Sequence, residues 1–145
     1  MIMQLSWLAQ RQLLQLLDDD RFRLTLPQFY TLLYLYQQDA EVKMSDLAEA
    51  TQQSAASLTG VVDRLAEKQL VDRSRSERDR RQVVVAVNTR GRELVSEVKQ
   101  ARRDQMQAAL AHLSELELEA LVQLLDRAMI GMARVLERAE GGRLA

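Results

Sequence analysis

Residues 54–87 read SAASLTGVVDRLAEKQLVDRSRSERDRRQVVVAV, and this stretch decides the fold. Its first half has helical periodicity. Leu58, Val61, Val62 and Leu65 recur at helical spacing and predict one buried face. The opposite face carries Ser54, Ala55, Ser57, Thr59 and Gly60, all small or hydroxylic, where an exposed helix ordinarily shows Glu and Lys. So sparse a face suits close approach to a flat, hydrogen-bonding surface such as the DNA major groove. The second half reads as a β-hairpin. Leu70 and Val71 lead in, and the β-branched run Val83–Val87 closes it. Within residues 73–81 lie Arg73, Arg75, Arg78, Arg80 and Arg81, opposed only by Glu77 and Asp79, a local charge of +3.

Upstream, Thr25 and Gln28 fit a capping box with Pro27 in the first turn, predicting a helix over 26–38 with Leu32, Leu33, Leu35 and Tyr36 inward. Ser45 is expected to cap a short helix carrying Leu47 and Ala48 inward. Gln52 and Gln53 make a turn, and Ser54 caps the helix after it. Two helices joined this tightly form a helix-turn-helix, and the hairpin behind them adds a wing.

An amphipathic helix is predicted over 2–17, ended by Asp18, Asp19 and Asp20. Trp7 lies near its start, suited to a partner surface or to ordinary packing. Downstream, Thr89 is expected to cap a helix to about 112, and Ser114 with Glu117 forms a second capping box before a helix to about 138. Met129 and Met132 are expected in a core. The two helices are each roughly 36 Å long, more than the core of so small a domain requires. Their apolar stripes point to a homodimer interface. The expected architecture is mainly α with a small β-hairpin wing: a winged helix-turn-helix over 26–88 and a helical dimerisation region over 1–20 and 89–140. Leu5, Leu8, Leu121, Leu125 and Met132 are the candidate dimer contacts.

Composition narrows the classes. The chain has 145 residues, 47% hydrophobic and 28% charged, which is globular rather than disordered. Aromatics are only 4%, so a Leu, Val and Ala core favours helices. The net charge of −1 argues against a nucleic-acid partner on its own, but phosphates feel charge within about 8 Å, so one cationic edge suffices. There is no Cys, which removes disulfides, thiolate metal sites and thiol redox sensing. No apolar run approaches the ~20 residues of a membrane span, and the N-terminus lacks a signal-peptide pattern, so a cytoplasmic location is expected. His112 is the only histidine, better suited to a helix end than to a metal. No phosphate loop, nucleophile elbow or His–carboxylate arrangement is present, so neither an enzyme nor a cofactor is expected.

The residues divide by role. Ser54, Ser57 and Thr59 are candidate contacts to base edges or phosphates, with capping as their plainer role. Gly60 has no good reason inside a helix, where it costs about 1 kcal/mol against Ala, so close packing or close DNA approach explains it, packing slightly favoured. Arg64 is a backbone or base contact unless Glu67 engages it. Arg78 and Arg80 are minor-groove candidates, and Arg73 and Arg75 phosphate contacts.

With these pieces in place, the chain resembles the multiple antibiotic resistance regulator family (MarR family) over about residues 5–138. The matching stretches are LTLPQFYTLLYL, MSDLAEAT, SLTGVVDRLAEKQLVDR and DRRQVVVAVNTRGREL. Asp79-Arg80-Arg81 running into the Val strand is similar to the family's D-x-R wing signature, and Asp63-Arg64-Leu65 with Leu70-Val71-x-Arg73 is the second match. The family usually has Gly where this chain has Gln69. The resemblance implies a sequence-specific regulator of transcription, a homodimeric repressor in many members. It also implies recognition helices in successive major grooves and wings on the minor groove or backbone. An ion pair between Asp79 and Arg81 would shape the wing, and a pocket would take a small anionic or aromatic ligand. The alternative is a helical protein–protein interaction module with the wing repurposed.

Overall fold

A computed structural model describes residues 1–141. The elements run α1 (Ile2–Asp18), α2 (Leu26–Tyr36), β1 (Val42–Lys43), α3 (Met44–Ala50), α4 (Ala55–Glu67), β2 (Val71–Arg75), β3 (Val83–Val87), α5 (Thr89–Leu110) and α6 (Glu115–Gly141). They divide between two units, Met1–Arg103 and Asp104–Ala145.

In the first unit, α2 begins on the expected capping box. Gln28 N–H donates to Thr25 Oγ1 at 3.4 Å, and Thr25 N–H donates to Gln28 Oε1 at 3.0 Å. The helix buries Phe29, Leu32 and Leu35, while Leu33 and Tyr36 are only half-buried. It stops at Tyr36, short of 38, where the Arg92 guanidinium takes over its end by donating to the carbonyls of Tyr36 and Gln38 at 3.3 and 3.2 Å. Around α2 gather Leu17, Leu47, Leu58, Val62, Leu65, Val85, Val95 and Val98, all buried.

Ser45 does not cap α3. The N-cap is Lys43, with no side-chain cap bond, and the Ser45 hydroxyl donates to Asp46 Oδ1 at 3.2 Å. The reason is β1: Val42 pairs with Val85 and Lys43 with Val84, so extended backbone runs directly into Met44. The wing is therefore a three-stranded antiparallel sheet of order β1-β3-β2, with Arg73 opposite Val85 and Arg75 opposite Val83.

Ser54 caps α4 as expected, its Oγ accepting from Ser57 N–H at 3.2 Å. Leu58, Val62 and Leu65 are buried and Val61 is half-buried. The helix ends with Gln69 in the left-handed region, φ 58. Gln69 N–H donates to Ala66 C=O at 2.9 Å and Leu70 N–H to Leu65 C=O at 3.0 Å, the paired bonds of a Schellman cap. The end of α3 repeats it. Gln52 has φ 54, Gln52 N–H donates to Glu49 C=O at 3.1 Å, and Gln53 N–H donates to Ala48 C=O at 2.9 Å. Both helices of the pair thus end on a left-handed glutamine where Gly would carry no Cβ penalty.

The cap of α5 is Asn88, not Thr89: Gly91 N–H donates to Asn88 Oδ1 at 3.0 Å. Two adjacent residues could cap, and strand β3 runs one residue short of Asn88, leaving its side chain at the junction. Gly91 is required here. A Cβ on it would lie 2.1 Å from the Leu70 carbonyl oxygen and 2.7 Å from Val87 Cγ2.

In the second unit, α5 ends at Leu110 rather than 112, and exposed His112 lies in the turn that follows. Ser114 N–H donates to Glu117 Oε2 at 2.8 Å and Glu117 N–H to Ser114 Oγ at 3.4 Å, completing the second capping box. The Ser114 amide and the Ser114 hydroxyl, which donates to the same Oε2 at 2.8 Å, hold the Glu117 carboxyl below its ordinary value. Met129 and Met132, expected in a core, are exposed, as is Ala108. Two helices alone have no further layer to cover an apolar stripe that continues around α6.

Candidate nucleic-acid interface

The exposed side of α4 carries Ser54, Ser57, Thr59, Gly60 and Arg64. Ser54 is occupied as the cap. The Thr59 hydroxyl donates to Ala55 C=O at 2.9 Å, which holds its rotamer and leaves its oxygen free to accept. The Ser57 hydroxyl has no partner among the described residues. At Gly60 a Cβ would meet nothing within 4 Å, which removes the packing explanation for that glycine. The Arg64 guanidinium has no partner among the described residues, so Glu67 does not engage it.

The wing tip is built by its backbone. Ser76 N–H donates to Gln82 C=O at 3.0 Å, and Gln82 N–H to Asp79 C=O at 2.9 Å. Arg75 Nη1 crosses the hairpin to Arg80 C=O at 2.9 Å. The relation between Asp79 and Arg81 is a hydrogen bond from the Arg81 backbone N–H to Asp79 Oδ1 at 3.0 Å, where an ion pair between side chains was the expectation. A carboxylate that accepts an amide two residues on stabilises the turn itself and leaves the arginine side chain outside it. The guanidinium groups of Arg78, Arg80 and Arg81 consequently have no partner among the described residues. Arg73 is engaged: its Nη1 lies 2.8 Å from Asp63 Oδ1 on α4. The sequence marked Asp63 and Arg73 only as parts of one matching pattern; ten residues apart, they show no local spacing that would reveal their pairing.

A cavity of about 500 Å³ opens in the first unit. Leu13, Phe29, Leu33 and Val98 make its apolar wall, and Lys99, Arg102 and Arg103 its cationic one. Arg102 Nη2 donates to Ala9 C=O at 3.1 Å, while its Nη1 is buried with no partner. Nearby, the Ser96 hydroxyl donates to the Tyr36 phenol oxygen at 3.5 Å. That bond, with the charges of Lys99 and Arg92, holds the Tyr36 phenol below its ordinary value. Among the described residues no helix is long and apolar enough to cross a membrane.

The chain has recognisable relatives. The MarR family model matches residues 24–83. YfiV of Bacillus subtilis, named an uncharacterized HTH-type transcriptional regulator, is 31% identical over 117 residues, covering 81% of this chain and 70% of YfiV. A variant of MepR from Staphylococcus aureus has the same fold, with a TM-score of 0.80 and 25% identity over 90% of this chain and 95% of its own. A second MepR variant, solved bound to an oligodeoxyribonucleotide, is 26% identical with a TM-score of 0.70, over 90% of this chain and 94% of its own. Winged helix-turn-helix, wing signature and relatives agree: this chain belongs to the MarR family of transcriptional regulators.

Proposed function

We propose that the chain acts as a homodimeric repressor that binds a near-palindromic duplex. Each subunit lays α4 in the major groove and the Arg78–Arg81 tip along the minor groove or backbone. One observation carries this reading. The unpartnered guanidiniums of Arg64, Arg78, Arg80 and Arg81 sit on the same stretch of chain as a helix face of small and hydroxyl-bearing residues. Ser54, Ser57, Thr59 and Gly60 approach the bases, Arg75 supports the tip, and Arg73 reaches a phosphate only by sharing or leaving Asp63. The similar MepR variant, solved bound to an oligodeoxyribonucleotide, supports DNA as the partner.

The test is a titration against duplex DNA at several salt concentrations. Counterion release makes log affinity fall linearly with log salt. A flat response favours a protein–protein module instead. Footprinting is expected to find half-sites about 10–10.5 bp apart, one helical turn.

The dimer draws on α1 and α6. Leu5 and Leu8 on α1 are exposed, and on α6 Leu125 and Met132 are exposed and Leu121 is half-covered, so each helix leaves apolar side chains for a partner to cover. Residues 26–88 then form the DNA-binding part, and residues 1–20 with 89–140 the dimerisation part. Sedimentation is expected to give twice 16.6 kDa. The cavity beside Arg102 takes a small aromatic acid, its ring against Phe29 and Leu33 and its carboxylate against the unpartnered Nη1. Benzoate is the probe: calorimetry is expected to detect binding to the wild type and to lose it in Arg102→Met. The protein works in the cytoplasm and catalyses no reaction of its own.

A further inference from the structure

Gln69 holds a conformation that glycine adopts without a Cβ penalty, and its side chain does something glycine cannot. Its φ is 58. Its Oε1 accepts from Arg90 Nη1 at 3.1 Å, and its carbonyl accepts from Asn88 Nδ2 at 3.1 Å. Asn88 is the cap of α5 and Arg90 lies in the first turn of that helix. The end of α4 is thus gripped from the start of α5 through two backbone carbonyls, Leu70 C=O also accepting from Asn88 N–H at 3.3 Å, and through one side chain present only because residue 69 is Gln. Gln52 supplies the internal comparison. It occupies the same cap position on α3 with φ 54, yet its side chain makes no bond among the described residues. The left-handed glutamine by itself therefore does not produce the link; the reach to Arg90 does.

The geometry matters because α4 is a lever. It spans 13 residues, roughly 20 Å. A tilt of a few degrees at the Gln69 end moves the Ser54 end by more than about an ångström. Hydrogen bonds to base edges tolerate about half an ångström, the width of the N–H···O distance range. Leu70 adds no such restraint by side chain, since it is buried in the core and fixes depth rather than angle. We infer that Gln69 is a positioning residue for the recognition helix, its bond to Arg90 setting the angle of α4 against α5. This rests on the DNA-binding reading above.

The experiment measures affinity of the full chain for a duplex that the wild type selects from a randomised pool. Wild type, Gln69→Gly, Arg90→Met and the double variant are compared well below their melting transitions, over a range of salt. Gln69→Gly relieves the left-handed conformation, so it is expected to melt no lower than wild type. It is nonetheless expected to bind about fivefold more weakly, the scale of one hydrogen bond. Arg90→Met is expected to show the same loss with an unchanged salt slope, and the double variant to be no worse than either single one. Wild-type affinity in Gln69→Gly overturns the inference, as do losses that multiply in the double variant. So does a salt slope lowered by about one unit in Arg90→Met, because Arg90 would then be touching phosphate directly. If the wild type enriches no duplex, the DNA-binding reading fails, and the inference with it.

Discussion

Arg73 Nη1 donates to Asp63 Oδ1 at 2.8 Å, bridging the elbow between the recognition helix and the first strand of the wing. Both side chains stay well exposed, 38% and 52%, so the pair contributes no more than about 1 kcal/mol to stability. Its larger effect is on charge, because Asp63 occupies the one wing-base guanidinium that faces α4. Replacing Asp63→Asn is expected to leave the melting temperature nearly unchanged while tightening binding to random-sequence duplex. The salt slope should steepen by up to about one unit as Arg73 becomes available to phosphate. An unchanged slope would show that Arg73 stays off the DNA.

Arg78 and Arg80 have side chains with no hydrogen-bond or ion-pair partner among the described residues. Arg78→Ala and Arg80→Ala are expected to fold with wild-type stability, checked by thermal melts, and to bind duplex more weakly. Each lost phosphate contact should lower the salt slope by about one unit. Wild-type affinity in both variants would remove the wing from the interface.

Two glycines separate packing from docking. At Gly91 an added methyl collides with the Leu70 carbonyl oxygen at 2.1 Å, so Gly91→Ala is expected to destabilise by about 1–3 kcal/mol or more, read from urea unfolding. At Gly60 the methyl enters open space, so Gly60→Ala should stabilise the helix by about 1 kcal/mol. If the α4 backbone lies against DNA there, the same variant binds its operator more weakly although it is more stable. A Gly60→Ala protein that gains stability and keeps full affinity would place that part of α4 away from the duplex.

Ser54 and Ser57 look alike in sequence and differ in structure. Ser54 accepts the Ser57 amide, so Ser54→Ala is expected to cost about 1 kcal/mol of stability. The Ser57 hydroxyl is unengaged among the described residues, so Ser57→Ala should leave stability alone and change sequence preference, since base contacts specify while phosphate contacts position. Selection from a randomised duplex pool reads this directly. Equal weakening on every sequence would argue against base reading by Ser57.

Glu117 gives a pH signature. The Ser114 amide and hydroxyl lower its folded pKa, so its contribution is complete above the unfolded value of about 4.3 and disappears as pH falls through the depressed folded value. Acid titration of unfolding is expected to show a shallower loss in Glu117→Gln than in wild type. Parallel curves would mean that the cap contributes nothing to acid stability.

What the sequence disclosed follows the range of each interaction. The Thr25–Gln28 and Ser114–Glu117 boxes were legible because cap and partner lie three residues apart, and the α4 face because its period is local. β1 was not legible, since two residues, Val42 and Lys43, carry no periodicity and become a strand only by pairing with β3. Its presence also displaced the expected Ser45 cap. At the α5 start, Asn88 and Thr89 both qualify chemically, and only the strand's end chooses between them. The arginines of the wing were evident as a cluster. Which of them remain free was not, because Arg73 is engaged by Asp63 across a turn and Asp79 spends its carboxylate on a backbone amide.

The short strand has a mechanical consequence. β3 is the shared plank: β2 hangs from one edge and leads to the arginine tip, while β1 hangs from the other and continues without a loop into α3. A sideways push on the tip is therefore handed across the sheet to the first turn of α3. Any force that splays the wing must also shift the helix in front of α4, so the wing tip and α3 respond as one piece.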